Sequence, residues 1–320
     1  MSEIDFFTKK RNVVILALIA TILWGIGYPS IKICYELFHI TEGDFSSKIL
    51  LAGIRFIIAG LLVLLFSYIF EKKSPFQKYE KPIQLIVLSL LQTILQYSTL
   101  YIALAYIEAG KSSILNQFGS FMLVICSQMF FREDKFSIRK IIGGVIGISG
   151  IILINWNANM TFSFRFIGEG LILFSSIFAA LGYVVSKKVS TSCNPIILTG
   201  RQQLLGGIVL SIIGYFSGGR LVRSGIGAII MLLFLAVIIA VAFVIWVILL
   251  KFNTISEISV YKFAVPIFAV FFSGILLNEN VWNVKTFLSL FLVCCGIIVV
   301  NINQELKIQK EGTTHESSFS

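Results

Sequence analysis

One lysine of this sequence lies inside a long apolar stretch, next to a tyrosine and four residues before a proline: Lys262, Tyr261 and Pro266. An ionisable group at such a position costs about 2.5–3.5 kcal/mol to insert into a membrane, so it needs a partner or a path to water. The proline interrupts a helix and frees a backbone carbonyl. Lys262 could hold a substrate carboxylate or phosphate, or it could extend its ammonium to the nearer membrane face. The sequence leaves both interpretations open.

Uncharged hydrogen-bonding side chains form two further groups in apolar stretches. Gln92 and Gln96 are one helical turn apart, and Tyr97 follows directly. Asn116 and Gln117 form the second group. Polar side chains inside a membrane either join helices, at about 0.6 kcal/mol each, or line a cavity. We favour a substrate cavity, because the density of polar groups around Gln96 exceeds what helix packing requires.

Three aromatic side chains complete the candidate substrate site. Trp24, Tyr28 and Trp246 lie away from the ends of their apolar stretches, where membrane-interface aromatics concentrate, so we expect them to form walls of a cavity. The five cysteines and two histidines show no CxxC or Cys/His spacing. We therefore predict no metal site, no catalytic nucleophile and no cofactor.

The composition predicts the elements that must position these residues. Of 320 residues, 57% are apolar and 13% are charged, against about 45–50% and about 25% in an average globular domain. The mean hydropathy is +0.92, and the apolar residues form blocks of about 20, the length of a membrane-spanning helix. The chain is therefore expected to be an all-α membrane protein.

Ten spans can be read between the polar connectors. They lie near 13–34, 47–69, 82–106, 110–131, 138–155, 166–186, 195–216, 227–250, 256–277 and 284–302. With the N-terminus inside, the cytoplasmic segments hold 16 of the 26 Lys and Arg residues and the opposite segments hold 6. Both tails, 1–12 and 303–320, are thus predicted to be cytoplasmic, the second one disordered. The net charge of +10 then suits anionic lipid, and no nucleic-acid partner is expected.

An internal repeat divides the spans into two halves, 13–155 and 166–302. A shift of 146 positions aligns Arg55 with Arg201, Glu133 with Glu279, Asn116 with Lys262 and Gly150 with Gly296. At the first helix the shift is 155, which aligns Tyr28 with Tyr183 and Lys32 with Lys187. Each half has five spans, so the second half must be inverted in the membrane. Inverted repeats are typical of secondary transporters.

The charged residues of this repeat suggest gates or anchors. Arg55 and Arg201 can reach a membrane face as anchors. By depth, Glu279 could instead pair with Arg55 near the outer face, and Glu133 with Arg201 near the inner face. Such pairs would form alternating gates, with Pro266 supplying a kink beside one of them. Gly119 and Ser120 stand where the second half has Pro266, so the sequence gives no proline for a symmetric kink in helix four.

These motifs together resemble the paired EamA domains of the drug/metabolite transporter superfamily. The resemblance covers residues 13–302 and rests on Trp24-Gly25 with Tyr28 and Lys32, Arg55, Ala103-Leu104-Ala105-Tyr106, Pro266-Ile267-Phe268 with Glu279, and the Gly-Ile-Ile…Asn ends of helices five and ten. It implies ten helices in a 5+5 inverted repeat. It also implies a cavity lined chiefly by helices one, three, four, six, eight and nine, and movement of small metabolites.

We therefore predict a secondary transporter, not an enzyme, that moves an amino acid or related metabolite by alternating access, in the export direction. Its partners would be a small-molecule substrate and the lipid bilayer of a prokaryotic cell membrane, and a monomer would suffice. Two alternatives stay open: a membrane-embedded enzyme or lipid-handling protein, and an exporter of cationic drugs or quaternary amines. An enzyme usually needs clustered His, Asp or Glu, and no such cluster is visible in the sequence.

Overall fold

The structure is a computed structural model that describes residues 3–74, 82–130, 138–155, 164–191, 193–222, 225–253, 255, 258, 260–296, 298 and 299. All regular elements in these parts of the chain are helices. The long apolar runs form helices because a buried backbone must satisfy its hydrogen bonds internally where no water is present.

The first half and the segment before it contain seven helices in the described residues. In chain order they are α1 (Glu3–Thr8), α2 (Lys10–Leu37), α3 (Phe45–Phe70), α4 (Pro82–Ala103, with a π-helical stretch at Leu90–Leu95), α5 (Ala109–Asn116), α6 (Phe118–Phe130) and α7 (Ile138–Asn155). Asp44 caps the start of α3, where its side chain accepts a hydrogen bond from the Ser47 amide at 2.9 Å.

The second half repeats this order. Its helices are α8 (Phe166–Ser190, π-helical at Phe166–Gly170), α9 (Pro195–Phe216), α10 (Ile226–Phe252), a 3-10 turn (Val260–Phe263), α11 (Ala264–Leu276) and α12 (Val284–Gly296). Asn194 caps α9 and is followed by Pro195 at the first helical position.

Six helices in the described parts are long and apolar enough to cross a membrane: α2, α3, α4, α8, α9 and α10. Three shorter apolar stretches, Ile142–Ile154, Ala264–Leu276 and Val284–Gly296, coincide with the predicted fifth, ninth and tenth spans. The predicted fourth span is two helices, α5 and α6. The all-helical membrane fold is confirmed, while the count of ten crossings stays a prediction.

The chain is interrupted at matching points of the two halves. Helix α5 ends at Asn116 and α6 begins at Phe118. In the second half the 3-10 turn ends at Phe263, which is 146 positions after Gln117, and α11 begins at Ala264. Only the second break has a proline, Pro266, in the first turn of the new helix. Both halves are therefore interrupted at this point, and the interruption in the first half does not depend on proline.

Helices α3 and α9 pack directly against each other and join the two halves. Glycines allow this close approach, because a Cβ atom built on Gly207 would lie 2.6 Å from the Ile57 amide nitrogen. Small residues at helix contacts are the usual device for close packing in membranes. Helix α2 packs on α10 and α11, and α8 packs on α4 and α6. The first membrane-spanning helix of each half therefore packs against helices of the other half.

The helix ends gather at two opposite faces of the bundle. Asn253 Nδ2 donates to the Phe7 carbonyl at 3.0 Å, so the end of α10 lies beside α1 at what we call the N-terminal face. Ser46 Oγ donates to the Ser217 carbonyl at 3.0 Å at the opposite face. The helices therefore run alternately from one face to the other, in the order predicted for the spans. Which face is cytoplasmic remains a prediction.

One contact recurs at both faces. Lys32 Nζ donates to the Ile107 carbonyl at 3.1 Å at the opposite face, and Lys187 Nζ donates to the Asn253 carbonyl at 2.7 Å at the N-terminal face. The two lysines are 155 positions apart and the two carbonyl residues are 146 apart, which are the two shifts of the repeat. The same contact at opposite faces is the pattern that an inverted repeat predicts.

Candidate functional site

A small cavity lies between helices of both halves. Its volume is about 70 Å³, enough for a few water molecules. A larger solute would require the lining helices to separate. The polar and aromatic side chains that line it are Trp24, Tyr28, Arg55, Gln96, Tyr97, Asn116, Gln117, Ser120, Tyr183 and Lys262.

The chain breaks bring polar groups to this cavity. Asn116 ends α5 and Gln117 occupies the break, while Lys262 lies in the 3-10 turn before α11. Because α5 and α11 are in contact, the two breaks face the same space. An interrupted helix also leaves backbone groups without intrahelical partners, which suits a polar cavity.

Two amide side chains offer acceptors that no group in the described part of the chain uses. Asn116 Nδ2 donates to the Tyr28 hydroxyl at 2.7 Å, but its buried Oδ1 has no hydrogen-bond partner among the described residues. The same is true of the buried Gln96 Oε1. Buried polar atoms are normally satisfied by protein or water. Both oxygens can therefore accept a hydrogen bond from a solute or from water in the cavity.

Lys262 lines the cavity and lies against three aromatic rings, two of which also line it. Its Nζ lies 3.4 Å from the centre of the Tyr183 ring, 5.4 Å from that of Trp246 and 5.8 Å from that of Trp24. Contacts of this kind stabilise an ammonium through the negative faces of the rings. The structure therefore directs Lys262 into the cavity and not toward a membrane face.

Arg55 also reaches the cavity, from α3, with only 2% of its surface exposed. Its Nη1 donates to the Tyr101 hydroxyl at 2.7 Å, and its Nε donates to the Leu235 carbonyl at 3.0 Å. Arg55 thus joins α4 and α10 inside the bundle. Because these bonds hold the guanidinium in place, Arg55 supplies a fixed positive charge near the cavity.

Three predicted site residues do not line the cavity. Gln92 is fully buried and packs against Gly182 of α8, and neither of its amide atoms has a hydrogen-bond partner in the residues that the structure describes. Trp246 lies one layer behind, with its ring 5.0 Å from that of Trp24. Tyr261 shares the 3-10 turn with Lys262. These three residues are absent from the cavity lining, and a role for them in substrate binding stays a prediction.

Glu279 has a different partner from the one predicted. Its Oε1 lies 3.0 Å from Lys32 Nζ and accepts a hydrogen bond from the Ala109 amide at 2.8 Å, while its Oε2 accepts from the Gly110 amide at 3.1 Å. The carboxylate therefore caps the positive N-terminal end of α5. It does not pair with Arg55, which is held by other groups inside the bundle.

The other predicted gating residues stand as follows. Glu133 lies outside the described residues, so its predicted pairing with Arg201 in α9 stays a prediction.

At the face of Lys32, a second ion pair joins Lys111 to Glu169 at 2.7 Å. Glu108, in the turn before α5, lies near the first pair, and its partial burial and the charge of Glu279 raise the pKa of its carboxyl group.

Comparison with known proteins identifies the family of this chain. The pattern of the EamA-like transporter family matches residues 11–156 and again residues 166–302. The chain belongs to the EamA-like transporter family. The family is part of the drug/metabolite transporter superfamily, so the resemblance inferred from the sequence motifs is confirmed.

Relatives in this EamA family cover nearly the whole chain. An uncharacterized transporter of Bacillus subtilis, YvbV, is 28% identical over 92% of this chain and 92% of its own length. An uncharacterized transporter of Archaeoglobus fulgidus is 26% identical over 90% of this chain and 97% of its own. A solved crystal structure with a TM-score of 0.69 covers 92% of this chain and 98% of its own at 12% identity, and so shares the fold. These relatives support a membrane transporter role.

Sequence reasoning did not assign Tyr183 to the site of this EamA protein, nor Arg55 to its cavity. The sequence does point to Tyr183, because it is the repeat equivalent of Tyr28, which was predicted to line the cavity. Arg55 was interpreted as an anchor or a gate because its depth permits both. Its contacts with Tyr101 and Leu235 depend on which helices are neighbours.

Proposed function

We propose that this protein is a secondary transporter that moves a small organic metabolite, an amino acid or related solute, across the cell membrane. The observation that supports this proposal is the polar cavity between the two halves, which Lys262 helps to line. A lysine ammonium binds a carboxylate through charge-assisted hydrogen bonds. The acceptors of Asn116 and Gln96, which no described group uses, suit a further hydrogen-bond donor of the same solute.

We further propose that the ten spans form a 5+5 inverted repeat and work by alternating access. The equivalent contacts of Lys32 and Lys187 at opposite faces support this organisation. In such transporters one repeat rocks against the other around a central site. The break in each half lies beside the cavity, so both can serve as hinges during this motion. Export is the direction that we propose.

Reconstitution into liposomes tests the proposal. Purified protein would first be screened by thermal shift against amino acids, quaternary amines, nucleosides and sugar phosphates. The best ligands would then be measured by counterflow, in which a labelled solute exchanges against the same unlabelled solute inside. We expect saturable counterflow of a carboxylate-bearing solute. Equal fluxes in protein-free liposomes for every ligand that shifts the melting temperature would contradict the proposal.

Two variants of Lys262 test its role in transport. Lys262→Met removes the charge at similar length and should lower the transport rate of a carboxylate solute by about tenfold or more, since a charge-assisted bond contributes about 1.5–3 kcal/mol. Lys262→Arg keeps the charge and should retain transport. Unchanged kinetics in a folded Lys262→Met protein would remove Lys262 from the binding site.

A second candidate function is the export of organic cations such as quaternary amines. The observation in its favour is the group of aromatic rings around Lys262 Nζ, because such rings recognise quaternary ammonium groups. The thermal-shift panel separates the two candidates. A response to quaternary amines in the absence of any carboxylate would favour the second one.

A further inference from the structure

Trp24, Tyr183 and Trp246 form a ring cage at one wall of the cavity. The Trp24 and Trp246 ring centres lie 5.0 Å apart, and those of Tyr183 and Trp246 lie 6.3 Å apart. The three residues come from α2, α8 and α10, so both halves of the protein contribute to the cage. Ring contacts of this kind stabilise the arrangement without requiring an occupant.

The cage is occupied by the protein itself. Lys262 Nζ is within 6 Å of all three ring centres. Within the described part of the chain, this ammonium has no carboxylate within ion-pair distance and no hydrogen-bond acceptor. The rings are therefore its principal stabilising contacts. They hold it less tightly than an ion pair at a buried site would.

We propose that the ring cage is a binding site for a substrate ammonium group, and that Lys262 occupies it as an internal substitute until a zwitterionic solute arrives. The ammonium of the solute then takes the place of Lys262 Nζ among the rings. The displaced Lys262 pairs with the carboxylate of the same solute. This inference deepens the proposed function, because it names zwitterions that carry both groups as the substrate class.

Charge accounts for the selectivity of this exchange. A simple organic cation would displace Lys262 into the cavity without providing an anion for it, and two positive charges would then share a small space that already lies beside Arg55. A zwitterion brings the missing carboxylate, so its binding adds no net charge. Lys262 therefore excludes plain cations from a cage that would otherwise bind them.

Two probes that differ by one carboxylate group test this inference: tetramethylammonium and glycine betaine. Binding would be measured on detergent-purified protein by the fluorescence of Trp24 and Trp246, in a background where the other two tryptophans are changed by Trp156→Phe and Trp282→Phe. Titration calorimetry would provide a second measurement. Because neither measurement requires transport, a failure here is distinct from a failure of the transporter proposal.

The wild-type protein should bind glycine betaine more tightly than tetramethylammonium. Lys262→Ala empties the cage and should raise the affinity for tetramethylammonium by about tenfold or more while weakening the preference for the zwitterion, since a desolvated cation–π contact is strong. Lys262→Arg should behave like the wild type, because it keeps a charge at the cage. Equal affinity of the wild type and Lys262→Ala for tetramethylammonium would overturn the proposal.

Variants of the ring itself give a matched control. In the Lys262→Ala background, Tyr183→Phe keeps the ring and should preserve tetramethylammonium binding, whereas Tyr183→Leu should abolish it. Binding that survives Tyr183→Leu would place the cation elsewhere and overturn the proposal. If Lys262→Ala does not fold, Lys262→Gln serves in its place, with the same expected change in preference.

Discussion

Lys32 and Glu279 form an ion pair of 3.0 Å that ties α2, from the first half, to the turn after α11, in the second half. Glu279 also caps α5 through the amides of Ala109 and Gly110. Three elements therefore meet at one carboxylate, which is 8% exposed in its side chain.

The first prediction is that Lys32 and Glu279 are energetically coupled. In a double-mutant cycle, Lys32→Gln and Glu279→Gln should show a coupling of about 0.5–3 kcal/mol in thermal stability, because the two groups are in direct contact. Glu279→Gln combined with Arg55→Lys serves as the control and should be additive within about 0.5 kcal/mol. Coupling in the control cycle and additivity in the first would restore the pairing of Glu279 with Arg55.

The second prediction concerns Tyr28 and Asn116. Tyr28→Phe keeps the ring but removes the hydroxyl that accepts a hydrogen bond from Asn116 Nδ2 at 2.7 Å. We expect the free energy of ligand binding or of folding to become less favourable by about 1–3 kcal/mol, because a buried donor is left unsatisfied. Calorimetric titration of the ligand found by thermal shift, together with thermal melts, measures both. Tyr106→Phe, outside the cavity lining, is a control that should change neither quantity.

The third prediction is a pH dependence of stability due to Glu108. The raised pKa of this carboxyl means that its ionised form is disfavoured in the folded protein, so the wild type loses stability as the pH rises through that pKa. The charged neighbours that influence it are Glu279, Lys32, Lys111 and Lys285. Glu108→Gln should therefore melt at a higher temperature than the wild type above that pH, and their melting curves should converge below it.

Thermal melts across about pH 4–8 measure this effect. Glu42→Gln is a matched control, because it removes an exposed carboxyl of a loop at the same face. It should retain the pH dependence of the wild type. A difference between wild type and Glu108→Gln that grows as the pH falls would have the wrong sign and would contradict the prediction.

The fourth prediction is the membrane orientation. In a cysteine-free background, Ser74→Cys at the N-terminal face should be shielded from an impermeant thiol reagent in intact cells. Val222→Cys at the opposite face should be labelled. The physical reason is the excess of Lys and Arg in the connectors of the N-terminal face. Permeabilised cells provide the control, in which both sites should react, and the reverse pattern in intact cells would invert the orientation.

Apolar run length and charge made much of this protein predictable. A membrane leaves helices as the way for these runs to satisfy their backbone, so the approximate helix positions follow from where the apolar runs lie. The repeat and its shifts of 146 and 155 positions also came from residue identities, and they correctly matched Lys32 with Lys187 and Tyr28 with Tyr183. The sequence also identified three candidate site residues, because they are polar side chains in apolar stretches: Lys262, Asn116 and Gln96.

Only the tertiary structure decided which of these groups meet. Depth along a helix can be counted from the sequence, but helix rotation and neighbourhood depend on packing that no local pattern records. Depth alone permitted Glu279 to pair with Arg55, whereas the packing of α2 against α11 gave it Lys32 instead. In the same way, rotation buried Gln92 against Gly182 and brought Tyr183 to within 3.4 Å of Lys262. Contacts between distant spans are set by how helix surfaces fit together, and that fit is a property of the whole bundle.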